Sequence, residues 1–211
     1  MMQKDNPFNE EVAAYENWFE TNDKLFYSEL EAIRHFIPTN GEGIEIGVGT
    51  GIFASKLGIK YGVEPADIMA DAALKKGIHV TKATAENLPI DNETYHFALM
   101  VTVDCFLDDV PKAFSEVQRI LVNDGLFIIA FLDKDTPLGN LYEQNKHLHK
   151  SYKDANFHSA KEISKYLKEA GFEILDKRQT IYSLDNDYQD IKSGVGEGVF
   201  AVIKAKKIKV L

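Results

Sequence analysis

From Gly41 to Leu132 short apolar runs alternate with one-face helical patterns, and this alternation constrains the fold more than any other feature of the chain. Ile44 to Val48, Tyr61 to Val63, Ile78 to Thr81, Phe97 to Val103 and Leu126 to Leu132 read as strands. Ile52, Phe53 and Leu57 begin a helix between the first two. Asp67 reads as the cap of a second helix running to Lys76, with Gly77 just past its end. Val110, Ala113, Phe114, Val117 and Leu121 line one face of a third, with Pro111 in its first turn. Asn123-Asp124-Gly125 reads as a turn. Strands separated by helices cannot close as hairpins. They pair in parallel through right-handed crossovers, which predicts an α/β fold with helices on both faces.

The flanks differ. Val12, Tyr15 and Phe19, then Phe26, Leu30, Ile33 and Ile37, mark two N-terminal helices. Asn9 and Asn22 are their expected N-caps, with Glu10 and Glu11 in the first opening turn, and Pro38 ends the second. Residues 133–158 carry no strand pattern, whereas an α/β connection usually takes about two to six residues. Leu138, Leu141, Tyr142 and Leu148 predict a helix inside this insertion. Ser159 to Glu162 form a capping box for a helix ending at Gly171. Residues 172–182 and 199–203 read as the last strands, and 185–197 as a loop. The expected organisation is one domain over 1–211: a helical cap (1–40), the first half of a sheet (41–132), a lid insertion (133–158) and the second half of the sheet (159–211). A chain of 23.8 kDa buries roughly 70% of its unfolded surface, enough for one core.

With 45% apolar and 27% charged residues, the composition excludes a disordered chain and a disulfide scaffold. The single cysteine, Cys105, cannot form an internal disulfide, which fits a reducing cytoplasm. No apolar run approaches the roughly 18 residues of a membrane span, and MMQKDNPFNEE contains no secretory apolar stretch. A net charge of −9 argues against nucleic acid as the main partner.

The first strand runs into EIGVGTG, residues 45–51. A glycine turn between strand and helix lets backbone approach a ligand closely. A dinucleotide fingerprint would need a third glycine at position 52 or 54, which are Ile52 and Ala54, so a nicotinamide-dependent oxidoreductase is disfavoured. The Gly-Lys-Ser/Thr of a P-loop is absent. The pattern is E-x-G-x-G-x-G.

That string resembles motif I of the class I S-adenosylmethionine-dependent methyltransferases. The resemblance continues in register through YGVEP (61–65), ATAENLP (83–89), FALMVTV (97–103) and CFLDDVPKAFSEVQRILVNDGLFII (105–129). LGNLYEQ (138–144) and YKDANFHSAKEI (152–163) are similar to the UbiE-like, or type 11, branch. The resemblance covers about residues 9–203 and implies a Rossmann-like seven-stranded sheet, its last strand antiparallel beside the fifth, under an N-terminal helical cap. It implies S-adenosylmethionine as cofactor. Gly47 and Gly49 would face the methionine portion, with Gly51 completing the turn. Glu45 would meet the methionine ammonium, Glu64 the ribose hydroxyls, Ala85 and Glu86 the adenine, and Met69 would pack on the adenine. Many relatives carry Asp where this chain has Thr84. The residues alone leave alternatives: Glu64 as a solvated strand-end acid, Glu45 in a structural ion pair, Met69 as helix core.

Methyl transfer from a sulfonium is an in-line displacement that demands binding, alignment and dryness rather than one fixed catalytic side chain. Ligands of open α/β sheets bind beyond the strand C-termini. This places Asp104, after the fourth strand, and Asp133, after the fifth, near the site. Asp104 reads either as a holder of an amine or a proton, or as a loop cap; Asp108 and Asp109 serve the next helix. Tyr15 of the cap is the catalytic candidate beside Asp104, with a place in the pocket; Trp18 of the cap and Tyr142 and Tyr152 of the insertion are the substrate-pocket candidates, with Phe19 as packing. His147 and His149 do not share a helix face, so no metal site is expected. The expected function is methyl transfer to a small molecule, either N-methylation of a small amine of histamine type or O- or C-methylation of a phenol or quinol. A non-catalytic S-adenosylmethionine-binding regulator is the alternative from another class. A nucleic-acid methyltransferase is disfavoured by the charge and by the lack of an Asn/Asp-Pro-Pro-aromatic tetrapeptide.

Overall fold

The computed structural model describes residues 12–148 and 152–208. Along the chain come α1 (Val12–Thr21), α2 (Asp23–Arg34), β1 (Gly43–Ile46), α3 (Ile52–Leu57), β2 (Tyr61–Val63), α4 (Asp67–Lys75), β3 (His79–Thr81) and β4 (Tyr95–Val101). After them come α5 (Val110–Ile120), β5 (Leu121–Leu132), α6 (Pro137–Asn145), α7 (Ala160–Glu169), β6 (Phe172–Thr180), β7 (Lys192–Ser193) and β8 (Phe200–Lys207). The strands form one sheet in the order β3-β2-β1-β4-β5-β8-β6-β7. β1 to β5 pair in parallel; β8 lies antiparallel between β5 and β6. The fold is Rossmann-like.

The period of two along the strands divides the core between the two faces. Leu99 of β4, Ile128 of β5 and Val202 of β8 pack with Phe26, Leu30 and Ile33 of α2 and Phe53 of α3. Their neighbours Met100, Phe127, Ile129 and Ile203 pack on the other face with Phe114 and Val117 of α5 and Ile163 and Leu167 of α7. The central strands are therefore buried on both faces, which explains their near-continuous apolar sequence.

The sheet has eight strands where seven were expected. The extra one is the two-residue β7, within the stretch read as a loop, whose Lys192 and Ser193 pair with Gln179 and Arg178. Asn123-Asp124-Gly125 does turn, with Asp124 at φ 60°, but as a bulge inside one strand: Leu121 pairs with Tyr95, and Leu126 with Phe97. Asp67 is the first residue of α4 rather than its cap, which is Ala66. Asn22 occupies the N-cap position of α2 without capping it. Asn186, 164 residues away in sequence, does so instead: its Oδ1 accepts from Lys24 N at 3.0 Å and Leu25 N at 3.4 Å. No local pattern can reveal a cap supplied from a distant loop. Asn9, Glu10, Glu11 and His149 lie outside the described residues.

The insertion is tied down at both ends. Asp133 Oδ1 accepts from Asp135 N at 3.1 Å and Ala160 N at 3.2 Å. Asn156 N donates to Cys105 O at 2.8 Å. The expected capping box opens α7, with Ser159 and Glu162 each bonding the other's backbone. At the start of α6, Thr136 Oγ1 donates to Asp133 O at 2.8 Å and accepts from Gly139 N at 3.1 Å. A Cβ on Gly139 would stand 2.0 Å from Asp133 O. Gly139→Ala should therefore push the first turn of α6 off the end of β5 and cost about 1–3 kcal/mol. Urea unfolding checks this; an unchanged midpoint would mean that the close approach is not maintained.

Candidate active site

β1 delivers Glu45, and the chain then turns through Gly47, Gly49 and Gly51, all with positive φ (72°, 53° and 75°). Gly47 N and Val48 N both donate to Val63 O, at 2.8 and 2.9 Å, which fastens the turn to β2. The three glycines face different surroundings. A Cβ on Gly47 would lie 2.4 Å from Val103, and one on Gly51 would lie 3.2 Å from Ala73 and Ile78. A Cβ on Gly49 would meet nothing nearer than the Tyr15 hydroxyl, at 3.9 Å. Gly49 is thus the glycine that opens onto free space.

Two carboxylates flank it. Glu64, after β2, is 7% exposed and accepts from Gly49 N through Oε2 and from Ala66 N through Oε1, both at 2.9 Å. Burial raises its carboxyl and these two N–H groups lower it; burial prevails. Each oxygen retains a lone pair for another donor. Glu45 is 2% exposed, and its Oε2 has no hydrogen-bond partner. Burial pushes its carboxyl well above the usual range, and the nearby Glu64 adds to the effect.

Tyr15 of α1 roofs this end. Lys76 Nζ secures it there by pairing with Glu16 of α1 and donating to Thr50 O, at 2.8 Å, in the turn. Burial raises the Tyr15 phenol, and Glu45, Glu64 and Glu29 raise it further. Beside it, Tyr142 and Tyr152 of the insertion lie 6.3 Å apart, and Tyr152 stacks on Phe106 at 5.9 Å. Trp18, expected to line this pocket, is 41% exposed and meets Phe19 edge-on. No ring contact brings it to Tyr142 or Tyr152.

Asp104 is 2% exposed in a 3₁₀ turn after β4, but its carboxylate is already engaged. His158 Nδ1 lies 3.0 Å from its Oδ2. Burial still holds the Asp104 carboxyl above its ordinary value. The pair pins the end of the insertion to β4, so Asp104 is not a free acceptor contact here. Met69 and Ala85 are buried, whereas Thr84 is exposed. The carboxylate of half-buried Glu86 accepts from Asp108 N at 3.1 Å. Asp109 caps α5 by accepting from Lys112 N at 2.9 Å. His147 is exposed, and among the described residues no group of three His, Cys, Asp or Glu side chains is placed to hold a metal ion.

Sequence reasoning missed Glu29. It lies three residues after Phe26 and four before Ile33, on the apolar face of α2, and is 9% exposed. A charged residue on that stripe was the available signal. Burial alone pushes its carboxyl up to about 8. Its charge contributes to raising the phenols of Tyr15, Tyr142 and Tyr152. Two surface clefts lie elsewhere. One of about 270 Å³ is at the opposite strand ends, beside Gly43, Tyr61 and Phe97, and the other, of about 870 Å³, lies along α7.

Two expectations follow from this geometry. Gly49→Val should leave the fold intact apart from about 1–2 kcal/mol of left-handed strain, while its side chain fills the open space. Any ligand of this turn should lose affinity by at least tenfold, as titration would show; unchanged affinity would place the ligand elsewhere. Glu29 titrates near 8 when folded and near 4.3 when unfolded. The folded state holds its proton more tightly, so the stability from this group is full below about pH 4 and is lost as pH rises toward 8. Glu29→Gln has no proton to lose. It should match the parent near pH 4 and exceed it by about 3 kcal/mol near pH 7. Urea melts at the two pH values test this, and equal stability at both would refute the buried proton.

Comparison with known proteins agrees with this geometry. A methyltransferase domain family matches residues 19–177. An uncharacterized protein of Methanocaldococcus jannaschii is 43% identical over 205 residues, covering 96% of this chain and all of that one. A crystal structure from Thermotoga maritima, described as an S-adenosylmethionine-dependent methyltransferase and possible histamine N-methyltransferase, superposes with a TM-score of 0.91. It is 43% identical, and the match covers 95% of this chain and 98% of that one. The ubiquinone/menaquinone biosynthesis C-methyltransferase UbiE of Campylobacter jejuni is 26% identical over 170 residues, with 69% of this chain and 72% of that one covered.

Proposed function

The chain belongs to the class I S-adenosylmethionine-dependent methyltransferases, and we propose that its acceptor is a small molecule enclosed beneath Tyr15, Tyr142 and Tyr152. The observation that carries this reading is the juxtaposition of the open side of Gly49 with the Tyr15 hydroxyl, 3.9 Å from where a Cβ would stand. The cofactor-binding turn and the aromatic space thus adjoin. A duplex or a folded protein could not enter a space roofed by α1 and the insertion, and the net charge of −9 does not favour a polyphosphate.

The residues fit the cofactor. The orphaned Glu45 Oε2 suits the methionine ammonium, and a buried lone acceptor gains most from a charged donor. Glu64 retains lone pairs for the ribose hydroxyls, and Ala85 and Glu86 are the residues we assign to the adenine by resemblance. When bound, S-adenosylmethionine supplies a methyl group already activated on a sulfonium. The chain's own share is alignment and exclusion of water, with the tyrosine faces turned toward a cationic centre. Asp104 and His158 act by holding the insertion in place.

Two acceptor chemistries remain in view. A small amine is favoured by the Thermotoga neighbour's designation. A phenol or quinol is favoured by the UbiE relative. Cys105, buried and free, is consistent with a reducing cytoplasm as the compartment. Among the described residues no helix is long and apolar enough to cross a membrane.

S-adenosylhomocysteine should bind one per chain, and at 100 times its dissociation constant should stabilise the fold by about 2.7 kcal/mol. NAD should not. With S-adenosylmethionine present, mass spectrometry across amines, phenols and quinols should find a product 14 Da heavier than one acceptor. Transfer RNA and histone-like proteins should give none. Efficient methylation of a macromolecule alone would overturn the small-molecule reading, and cofactor binding without any turnover would favour a regulator.

A further inference from the structure

The cleft of about 870 Å³ along α7 runs against the charge of the chain. The chain carries −9, yet Lys134, Lys161, Lys165, Lys168 and Lys177 line this cleft against three acids, Asp135, Glu162 and Glu169. Two of the lysines are neutralised: Lys134 Nζ lies 2.7 Å from Glu162, and Lys165 Nζ lies 3.7 Å from Glu169. Among the described residues no carboxylate pairs with Lys161, Lys168 or Lys177. Lys177, on β6, is half-buried, and its Nζ donates to the neutral Ser164 hydroxyl at 2.9 Å. That hydroxyl donates in turn to Ala160 O at 2.5 Å, which fixes it as an acceptor for the ammonium.

These placements work against the fold. Lys161, Lys165 and Lys168 stand at i, i+4 and i+7 of α7, a like-charged stripe on one helix face. Lys161 is in the first turn, where the helix dipole disfavours a cation, and the acid of that turn, Glu162, is engaged with Lys134 and the capping box. Burial and then the nearby Lys168 lower the Lys177 amine, and Asp133 opposes them without prevailing. An anion in the cleft would reverse all three effects. The geometry lets one anion do so. Lys161 and Lys168 are about 10.5 Å apart along the helix, and the Ser164–Lys177 contact falls between them. Two lysine stems can close that distance on an anion seated at Ser164. The donors also define the anion. Among the residues lining the cleft there is no arginine, whose planar fork reads a carboxylate best. Compact ammonium groups arriving from α7 and β6 suit the outward oxygens of a phosphate.

We propose that this cleft binds a small phosphomonoester, its phosphate held by Lys161, Lys168 and Lys177 and its body lying along Val195 and the lysine stems. A phosphate alone would fill a minor part of about 870 Å³, a volume in the range of small-molecule sites. None of the lining residues belongs to the glycine turn or to the tyrosines assigned to the acceptor. The site is therefore additional to the one for methyl transfer, and its assignment stands independently of the acceptor's identity.

The test is isothermal titration of the full chain at about 0.15 M salt. The probes are inorganic phosphate, glycerol 3-phosphate and ribose 5-phosphate, with glycerol and citrate as controls. At least one phosphomonoester should bind, one per chain, with a dissociation constant below about 1 mM. It should bind at least tenfold tighter than citrate, and glycerol should not bind. Lys177→Met keeps the length of the stem, and Lys168→Gln alters an exposed side chain. Each should weaken the phosphomonoester at least fivefold and leave S-adenosylhomocysteine affinity within twofold of the parent. Lys75→Gln removes the same charge from an exposed position on α4 and should change the phosphomonoester's affinity less than twofold. Should Lys177→Met fail to fold, as a melting curve would reveal, Lys168→Gln decides alone. The assignment is overturned if no phosphomonoester binds, if citrate binds as tightly, or if Lys168→Gln matches the parent. An equal loss in Lys75→Gln would assign the effect to the general surface field and overturn it too. Displacement of S-adenosylhomocysteine by the phosphomonoester would put the phosphate in the cofactor site, with the same result.

Discussion

The functional end of the sheet hangs on one carboxylate. Glu64 spans two backbone N–H groups, that of Gly49 in the glycine turn and that of Ala66 at the start of α4. It links β1 to β2 where no strand pairing remains, and holds the one open glycine at a positive φ that costs it little. The other contacts of the turn depend on that placement. Val63 O can receive both Gly47 N and Val48 N only while the chain folds back over β2, and Lys76 can reach Thr50 O only from a correctly seated α4.

The opposite wall is built by the insertion. Its ends are fixed by Asp133 and by the Asp104–His158 pair, and its middle carries Tyr142 and Tyr152 toward Tyr15. This division of labour changes the reading of Asp104. An acid after the fourth strand of such a sheet invites a catalytic role, but a buried carboxylate 3.0 Å from a buried histidine is already satisfied. Among the described residues, the buried carboxylate oxygen without a hydrogen-bond partner is Glu45 Oε2.

The sheet was legible because its signals are local and repeated. Apolar runs in β4 and β5, Gly77 past the end of α4 and the Ser159–Glu162 box each specify structure within a few residues of themselves. The glycine turn was legible because three glycines in five residues, following an acid in an apolar strand, have few structural uses. The failures are long-range. Asn186 capping α2 and His158 claiming Asp104 join residues dozens of positions apart, β7 pairs with β6 across an irregular loop, and no spacing rule encodes them. Trp18, three residues from Tyr15 on α1, is the more exposed of the two. Glu29 is intermediate, visible in the sequence as a break in an apolar stripe but shown to be buried only by the packing of α2.

Burying Glu45 and Glu64 beside the glycine turn works against stability, because each must either hold a proton or stay charged in a poorly solvated site. Stability alone would replace them with apolar or amide side chains. Their place beside Gly49 makes sense if the completed site contains positive charge, which the ammonium and the sulfonium of the cofactor supply. Each cation lowers the cost of a neighbouring acid, so the acids that weaken the empty fold are the ones a bound cofactor repays.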